Sequence, residues 1–523
     1  MSAAKLSADD YVWAIKHLVL FGDTDIFPHP MEFEFLEAKT AEIAESLAKI
    51  PLRNHRVTSL VETLHPKSRY GFRMAHQMFP IDAVIFSAAT VSIAAEIESA
   101  RGDAPKTAEL NKAFSYRYIN HSEDYRMFSD AHRYGDWREC LSTNTIFTAN
   151  FTNVITTDIS DFYQRIYRHR LENCLNSYTR NSPFVKFLEN CMNDWRGRQS
   201  FGIPVGSNAC RLLAEAALCD TDQALLSEGY QYTRYVDDIV VLLTEDQDPY
   251  TALAFLAGHL MVNEGLSLNS QKTKILSLEQ YISSLNHDSG EDREQAEQAS
   301  ITKLYWAAYG EDEAIDEEAL AELKARELLP ELEEEMSEDH WDIGRIRILL
   351  RAIRLTKSRA ASEFIVRRFK DLIPFIKDVV LVIEELKKDG DASFDKMSEF
   401  IVDLLLSDTL RTLQASRAWL FELFVRDLLP IDNNQIKRLS VLSETLDKRY
   451  LITLRYKLGD INFFRKQKTR INELSPWEQP VLIWGARCLP KDEYTHWVRS
   501  IKSRVQFSLG AEFCDWCIDS HSG

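Results

Sequence analysis

The sequence YTRYVDDIVVLL, residues 232–243, places two adjacent carboxylates, Asp237 and Asp238, inside a run of apolar and β-forming residues. Buried acids are costly unless they are paired or bound to a cation. The pattern predicts a β-hairpin with arms at 231–236 and 239–243 and with both acids at its tight turn. Such a turn presents carboxylate oxygens to a hard cation such as Mg²⁺. An ordinary Asp-rich turn explains the same residues equally well, so the rest of the chain decides between the two.

A second acidic strand lies upstream of this hairpin. Residues 153–158 read NVITTD, a β-branched run that ends at Asp158, and a helix is predicted from about Ser160 through Leu171. A strand that ends on an aspartate and turns into a helix puts the carboxylate at the edge of a sheet, beside amides that suit phosphate. This aspartate and the two of the hairpin are therefore the candidate catalytic residues.

A glycine-rich turn separates the two acidic strands. It reads FGIPVGSN, residues 201–208, and an apolar helix is predicted to follow over 210–226. Two glycines and a proline before a helix let the backbone pass close to a flat ligand. After the hairpin, an amphipathic helix is predicted over 252–264, and residues 266–275 predict a turn and a strand that carry an exposed Lys272.

A basic hairpin is predicted upstream of both acidic strands. Its sequence is PKSRYGFR, residues 66–73, and Lys67 and Arg73 straddle a glycine turn so that two cations can meet one anion. A solvated basic loop is the alternative, and composition alone favours it. One long helix is predicted to follow over 81–101, because apolar residues recur there at helical spacing.

The character of the chain changes at about residue 280. Strand signals fade, and prolines separate a series of amphipathic helices. These helices are predicted over 343–356, 361–370, 375–387, 397–406 and 409–428. Their pairing suggests a loose α-solenoid of the HEAT type, although no strict repeat is present. We therefore expect an N-terminal helical segment at 1–60, an α+β unit at 61–280 and an all-α helical-repeat domain at 281–523.

Composition narrows the class of protein. The 523 residues are 45% apolar and 27% charged, as in ordinary globular proteins. A net charge of −18 argues against a long, tight grip on duplex nucleic acid, so any nucleic-acid path must be a local groove. Eight scattered cysteines indicate reduced thiols. Because no apolar run reaches membrane-spanning length and no signal-peptide pattern begins the chain, we expect a cytoplasmic protein without a membrane partner.

The order of these elements predicts two-metal nucleotidyl transfer. Two Mg²⁺ ions about 3.5–4 Å apart activate the attacking hydroxyl and stabilise the departing pyrophosphate. Acids from two strands are needed because one strand cannot bracket both ions. Cations such as Lys272 steady the triphosphate while charge moves toward the leaving group.

The motifs resemble the palm and fingers of reverse transcriptases over about residues 60–280. Residues 235–238, YVDD, are similar to the Tyr-x-Asp-Asp box of that family, and Asp158 with the following Phe-Tyr pair is similar to its first catalytic motif. Residues 202–207 are similar to the motif usually written Gln-Gly-x-Pro-x-Gly-Ser-Pro. The basic hairpin looks like the fingers hairpin, and Lys272 stands where the family carries its motif D lysine.

The resemblance implies a role for each matching residue. The catalytic and metal-binding set is Asp158, Asp237 and Asp238, with the Ile159 carbonyl assisting at the metals. The nucleotide-binding set is Lys67, Arg73, Asp161, Phe162, Tyr163, Gly202 and Lys272. The implied cofactor is a pair of Mg²⁺ ions, with Mn²⁺ as an alternative. Tyr163 falls on the aromatic gate that excludes a ribose 2′-hydroxyl, which implies deoxynucleoside triphosphates as substrates.

Two differences from the glycine-rich motif of the family, together with the C-terminal helical region, indicate a subgroup of reverse transcriptases. Phe201 occupies the usual Gln position, and Asn208 replaces the usual Pro. A palm followed by a helical region in place of a thumb looks like the abortive-infection reverse transcriptases of bacterial phage defence. That resemblance implies template-independent synthesis of single-stranded DNA, priming from a protein hydroxyl that leaves the product attached to the protein, and homo-oligomers.

Two other functions stay open. One is a templated RNA-directed DNA polymerase of the retron or group II intron type. The other is a catalytically silent helical scaffold that retains the palm as an interaction surface, against which the intact acids argue.

Overall fold

The chain forms two compact units that are interleaved in sequence. The computed structural model describes residues 5–104, 112–120, 122–142, 150–197, 199–289, 317–324, 327–338 and 341–521. The first unit contains Met1–Thr24, Thr40–Ser59 and Met78–Ser300. The second unit contains Asp25–Lys39, Leu60–Gln77 and Ile301–Gly523.

This division differs from the three consecutive segments expected from the sequence. The difference arises because the basic hairpin packs with the C-terminal helices rather than folding as part of one continuous α+β segment. The Thr63 hydroxyl donates to the Thr412 carbonyl (3.1 Å) and accepts from the Gln414 amide (2.8 Å). Leu64 packs against the hydrophobic core of the second unit.

Helices form most of both units. In chain order they are α1 Ala8–Phe21, α2 Glu32–Ala38, α3 Thr40–Lys49, α4 Pro80–Val91, α5 Ala94–Ala100, α6 Tyr134–Ser142, α7 Phe162–Arg165, α8 Arg168–Tyr178, α9 Ser182–Arg196, α10 Asn208–Ala217, α11 Cys219–Ser227, α12 Pro249–His259, α13 Leu278–Ser289, α14 Glu317–Lys324, α15 Leu328–Ser337, α16 Ile343–Thr356, α17 Ala360–Arg368, α18 Ile376–Lys388, α19 Ser398–Leu405, α20 Gln414–Val425, α21 Asn433–Leu439, α22 Thr445–Lys457, α23 Ile461–Gln467, α24 Glu478–Gly485, α25 Lys491–Ile501 and α26 Gly510–Ser520. The strands are β1 Val61–Pro66, β2 Phe72–Gln77, β3 Lys112–Ala113, β4 Phe151–Asp158, β5 Gln231–Tyr235, β6 Asp238–Thr244 and β7 Lys274–Ser277.

The first unit is built around a five-stranded sheet in the order β3-β5-β6-β4-β7. Strands β5, β6, β4 and β7 pair antiparallel, and only the short β3 runs parallel to β5. Strand β6 is buried from Ile239 to Leu243, which explains its unbroken apolar sequence. Its pairing with β4 sets Asp158 directly opposite Asp238.

The acidic hairpin forms as predicted, with one correction. Strand β5 ends at Tyr235 and β6 begins at Asp238, so the two-residue turn is Val236 and Asp237. Asp238 therefore belongs to the strand rather than to the turn. Val236 has a φ of 57°, which is uncommon for a β-branched residue and requires contacts that hold it in place.

Two predicted helices are broken in the structure. The helix expected from Ser160 through Leu171 is two helices, α7 and α8, because the Ile166 carbonyl accepts the Gly202 amide (2.8 Å) instead of a helical donor. The long helix expected over 81–101 is α4 and α5, bent by 48°. The Ser92 hydroxyl donates to the Ala88 carbonyl (2.9 Å) at that bend, a contact that competes with regular helix geometry.

Two further predicted helices also divide. The helix expected over 210–226 is α10 and α11, which meet at Leu218. The helix expected over 252–264 is α12, followed by a π-helical turn at Leu260–Glu264. Among the described residues no single helix has the length and apolar character to cross a membrane, and α4 with α5 meets that criterion only as a bent pair.

The second unit is helical apart from the β1–β2 hairpin, over its described residues. The five predicted helices correspond to α16 through α20, with ends that differ by a few residues, and α20 is shorter because a 3-10 turn at Asp408–Leu410 precedes it. Alternate helices contact one another along a row: α16, α18, α20, α22, α24 and α26. Such a row is typical of a solenoid. The assignment to the HEAT type stays a prediction.

Candidate active site

Three carboxylates lie together at one end of strands β4 and β6. Asp158 closes β4, Asp238 opens β6 as its register partner, and Asp237 occupies the preceding turn. The Ile159 amide donates to the Asp237 carbonyl (3.2 Å), which ties the turn to the end of β4. Asp158 is only 6% exposed, whereas the other two acids are half-buried. The predicted catalytic set is therefore a real cluster.

Lys272 completes this cluster from the loop before β7. The Asn269 amide donates to the Asp158 carbonyl (2.7 Å), and the Lys272 ammonium contacts the Asp158 carboxylate. Burial lowers the pKa of Lys272, but the hydrogen bond to Asp158 and the charges of the three acids outweigh it and raise the pKa above its ordinary value. Lys272 therefore stays protonated beside the acids.

The donor set fits a divalent cation. Carboxylate oxygens are the ligands that Mg²⁺ and Mn²⁺ prefer. Asp158 already attracts a cation, since the Lys272 ammonium is bound to it. A metal ion at Asp158 would compete with that ion pair, and Asp237 and Asp238 offer further carboxylate oxygens beside it.

The segment after β4 supplies the predicted contacts to a nucleotide. Asp161 has a φ of 48° and precedes the short helix α7, whose first-turn amides have no intrahelical acceptors. Phe162 is buried and packs edge to face on Tyr163, with ring centroids 5.5 Å apart. Burial, and then the charges of Tyr116 and Asp237, raise the pKa of Tyr163 well above its ordinary value, although Arg211 lowers it. The Tyr163 phenol thus lies within the electrostatic reach of the acids.

Gly202 joins the glycine-rich motif to the same segment. Its amide donates to the Ile166 carbonyl (2.8 Å), and the next amide, of Ile203, donates to the Tyr163 carbonyl (3.0 Å). Gly202 has a φ of 85°, and a Cβ atom there would lie 3.1 Å from the Gln164 carbonyl oxygen. Glycine is required at this position, and it places the motif beside Tyr163.

Lys67 and Arg73 lie on the β1–β2 hairpin, which belongs to the second unit. His65 of β1 pairs with Arg73 of β2. Burial, and then the charges of Arg73, Arg347 and Lys377, lower the pKa of His65 to about 3. Cations of the hairpin and of the C-terminal helices therefore act together on His65. The roles of Lys67 and Arg73 at a nucleotide stay a prediction.

Sequence reasoning missed a buried charge network that supports the acidic turn. The Arg234 guanidinium binds both oxygens of Asp222 (2.8 Å each), donates to Glu215 (2.8 Å) and donates to the Val236 carbonyl (3.1 Å). The Ser115 hydroxyl donates to Glu215 and accepts the Val236 amide (2.8 Å). Arg101 also donates to Glu215. Both backbone groups of Val236 are thus held by this network.

The signal for this network was present in the sequence. Glu215 stands in an apolar helix and Arg234 in a β-forming run beside an apolar one, where an unpaired buried charge would be costly. Burial raises the pKa of Glu215, but Arg234 and Arg101 lower it more, so its pKa lies below the ordinary value. The partners could not be named in advance because they are far apart in sequence.

A second missed feature involves the residue that replaces the usual Pro of the motif. The Asn208 side chain contacts Nε2 of His17 (3.2 Å) and accepts from Arg211 (2.9 Å). The Arg211 guanidinium lies over the Tyr116 ring, 5.5 Å from its centroid, and Tyr116 packs against Tyr235 of the acidic hairpin. Asn208 therefore orients a cation near the site.

Asp23 is buried close to the same motif. Burial raises its pKa to about 6, against lowering contributions from the Ser207 hydroxyl, a backbone hydrogen bond of Met78 and the charge of Arg211. Its Oδ1 atom has no hydrogen-bond partner among the described residues. Ionisation of this carboxyl is therefore unfavourable in the folded protein.

Asp23→Asn is expected to raise the free energy of unfolding by up to about 3 kcal/mol at about pH 7.5 and to change it little at about pH 4. The folded-state pKa of Asp23 lies above the unfolded one, so the folded protein binds more protons between the two values and loses stability as the pH rises through that window. Urea unfolding at both pH values measures the effect, with the exposed Asp103→Asn as control. An equal effect at both pH values would contradict the electrostatic cause.

The sheet and its acids have the arrangement expected of a polymerase palm, and comparison with known proteins shows which family this part of the chain resembles. Residues 110–304 match the family model described as Reverse transcriptase (RNA-dependent DNA polymerase). The match supports nucleotidyltransferase polymerase activity for this part of the chain, and polymerases of the matched family typically use divalent metal ions. The predicted resemblance to reverse transcriptases is thereby confirmed for this stretch. No curated protein matches the chain.

Two solved structures illustrate more distant similarity. Apo telomerase from Candida tropicalis is 12% identical, with 74% of each chain covered and a TM-score of 0.34. Telomerase from Candida albicans in complex with a TWJ fragment of telomeric RNA is 13% identical, with 75% of this chain and 69% of the other covered and a TM-score of 0.32. These scores are too low to carry an argument.

Proposed function

We propose that the first unit is a DNA polymerase of the reverse transcriptase family that adds deoxynucleotides by nucleotidyl transfer. The observation that carries this proposal is the placement of Asp158 opposite Asp238, with Asp237 in the adjoining turn and Lys272 bound to Asp158. In this proposal the three acids hold two Mg²⁺ ions, with Mn²⁺ as an alternative. When bound, the ions would activate the attacking hydroxyl and stabilise the leaving pyrophosphate.

The side chains around the acids have separate tasks in the proposed reaction. A hydroxyl oxygen forms a bond to the α-phosphorus of a nucleoside triphosphate while the bond from that phosphorus to pyrophosphate breaks. Lys272 keeps a positive charge beside the acids while negative charge moves to the leaving group. The amides of Asp161 and Phe162 would bind the triphosphate, and Lys67 and Arg73 would steady its charge.

Tyr163 is the proposed gate for the sugar. The Ile203 amide of the glycine-rich motif holds the backbone carbonyl of Tyr163, and the Phe162 ring packs edge to face on the Tyr163 ring. A ring held in this way would meet a ribose 2′-hydroxyl and leave a deoxyribose unobstructed. This supports deoxynucleoside triphosphates as the substrates.

We further propose that synthesis uses no template, starts on a hydroxyl of the protein and serves cytoplasmic abortive-infection defence against phage in a homo-oligomer. Phe201 and Asn208 depart from the family motif where templated enzymes meet the nucleotide and template. Phe201 is 43% exposed, and Asn208 is engaged by His17 and Arg211. The helical row of the second unit, in place of a recognisable thumb, also favours this proposal. Templated synthesis is the second candidate, since the matching family model is described as RNA-dependent.

One experiment separates these candidates. Purified protein is incubated with Mg²⁺ and each deoxynucleoside triphosphate, without template or primer, and the products are denatured and separated. We expect DNA that stays attached to protein, little incorporation of ribonucleotides and no synthesis with a chelator present. Addition of a defined RNA template is expected to leave the product composition unchanged. Faithful complementarity to that RNA would favour the templated polymerase instead.

A cell-based comparison tests the proposed role in defence. Cells that express the chain and cells that express Asp237→Ala are infected with phage at matched expression. Protection that is lost with the substitution is the expected result, and equal protection would contradict a defence that depends on DNA synthesis.

A further inference from the structure

The second unit contains an open pocket of about 300 Å³ that is separate from the predicted triphosphate residues. Over the described part of the chain, its lining residues are Arg69, Trp341, Arg368, Lys370, Asp371 and Pro374. Neither Lys67 nor Arg73 lines it. Three of the six lining side chains are cations and one is an acid, in a chain whose net charge is −18. The pocket is thus a local concentration of positive charge.

Arg69, at the tip of the basic hairpin, is held in place before any ligand binds. Its guanidinium lies 4.7 Å from the centroid of the Trp341 ring, and Nη1 donates to the Glu338 carbonyl (3.2 Å). The Trp341 ring is fixed in turn, because its Nε1 donates to the Met336 carbonyl (3.2 Å) and the ring packs near Phe375. An arginine oriented in this way loses little freedom when it binds an anion.

Of the two other cations, Arg368 ends α17 and Lys370 stands in the loop that follows. Arg368 donates to Asp371 (2.7 Å), and Lys370 lies over the Phe400 ring at 5.9 Å from its centroid. The pair of Arg368 and Asp371 is partly exposed, so it is weakly held and can rearrange. Asp371 balances only one of the three positive charges, which leaves an excess of two.

We propose that this pocket binds the phosphate group of a nucleotide, either free or within a single strand. Arginine side chains offer paired N–H donors that match phosphate oxygens, and a lysine adds a point charge. The hairpin tip beside Arg69 also exposes two aromatic rings, with Tyr70 79% and Phe72 53% exposed. Such rings are suited to stack on the bases of a single strand. The binding does not depend on the proposed catalysis.

The test is binding of a labelled twelve-nucleotide oligothymidylate, measured by fluorescence anisotropy with a chelator present so that no metal ion holds phosphate at the acids. Arg368→Ala/Lys370→Ala is expected to weaken binding about tenfold. The slope of log affinity against log salt is expected to become shallower by about 1.4, because two phosphate contacts to a single strand are lost. Lys370 is exposed and Arg368 is partly exposed, so the fold is expected to persist, and an unchanged melting temperature checks this.

Lys396→Ala/Lys437→Ala is the matched control, since it removes the same charge from exposed positions that do not line the pocket. Binding in this control is expected to stay near that of the unchanged protein. Competition with thymidine triphosphate identifies the source of the phosphate: competition at similar concentrations indicates a free nucleotide, and its failure indicates a strand. Equal binding by all three proteins, or an equal loss in both double variants, would overturn the proposal.

Discussion

Asp158→Ala and Asp237→Ala are each expected to lower deoxynucleotide incorporation at least about a hundredfold. Each substitution removes a carboxylate from the cluster at the ends of β4 and β6, and metal-assisted charge stabilisation contributes several kcal/mol to such a transition state. The fold should persist in both variants. Removal of the Asp158 carboxylate breaks its ion pair with Lys272, whose side chain is half-exposed and can be solvated. Asp237 stands in a turn. Incorporation of labelled nucleotide at saturating Mg²⁺ measures the effect.

Asp246→Asn is the control for these two variants. Asp246 is exposed just beyond the opposite end of β6, so its loss removes an acid from the same hairpin without touching the cluster. Its incorporation rate is expected to match that of the unchanged protein. Substantial residual synthesis by both variants would contradict the assignment of the acids, provided that circular dichroism shows both to be folded.

The acids could be predicted because their signal is local. An apolar run around two carboxylates predicts a buried strand, and buried acids are costly unless they are paired or bound to a cation. The β-branched run that ends at Asp158 predicts a second strand that carries an acid. The register that sets Asp158 opposite Asp238 follows once both strands join one sheet. The local pattern predicts Lys272 only as an exposed residue of a turn and strand, and its place beside the acids was expected from the family resemblance.

The breaks in the predicted helices could not be predicted from the spacing of apolar residues. The chain between α7 and α8 is apolar at helical spacing, yet the Ile166 carbonyl turns away to accept the Gly202 amide. That donor is more than thirty residues distant, so no local pattern reveals it. Tertiary hydrogen bonds of this kind override helix propensity.

The interleaving of the units has the same origin. Sequence order and the likeness to a fingers hairpin place the basic hairpin in the α+β unit at 61–280, but Thr63 and Leu64 find their partners near residue 412 and in the helical core. A strand pattern predicts the hairpin itself, and it carries no information about which core the hairpin joins. The pocket at Arg69 could not be predicted from the sequence, because its other cations, at positions 368 and 370, are about 300 residues away along the chain.

Arg234→Met is expected to lower the free energy of unfolding by about 3–5 kcal/mol at about pH 7. The Arg234 side chain is fully buried, and its loss leaves Asp222 and part of Glu215 without the cation that compensates them. The Val236 carbonyl loses a donor as well, so the acidic turn loosens and nucleotide incorporation is expected to fall with stability. Urea unfolding and incorporation assays measure the two effects.

The pH dependence of this deficit separates lost charge compensation from lost packing. Arg234 helps to hold the pKa of Glu215 below its ordinary value, and a depressed carboxyl pKa contributes stability above the unfolded pKa that is lost as the pH falls. The deficit of Arg234→Met should therefore shrink toward about pH 4. Arg126→Met is the control in the same unit, because Arg126 also pairs with two aspartates but is partly exposed, and little change is expected there. A deficit of equal size at both pH values would mean that Arg234 acts by filling space rather than by pairing Glu215 and Asp222.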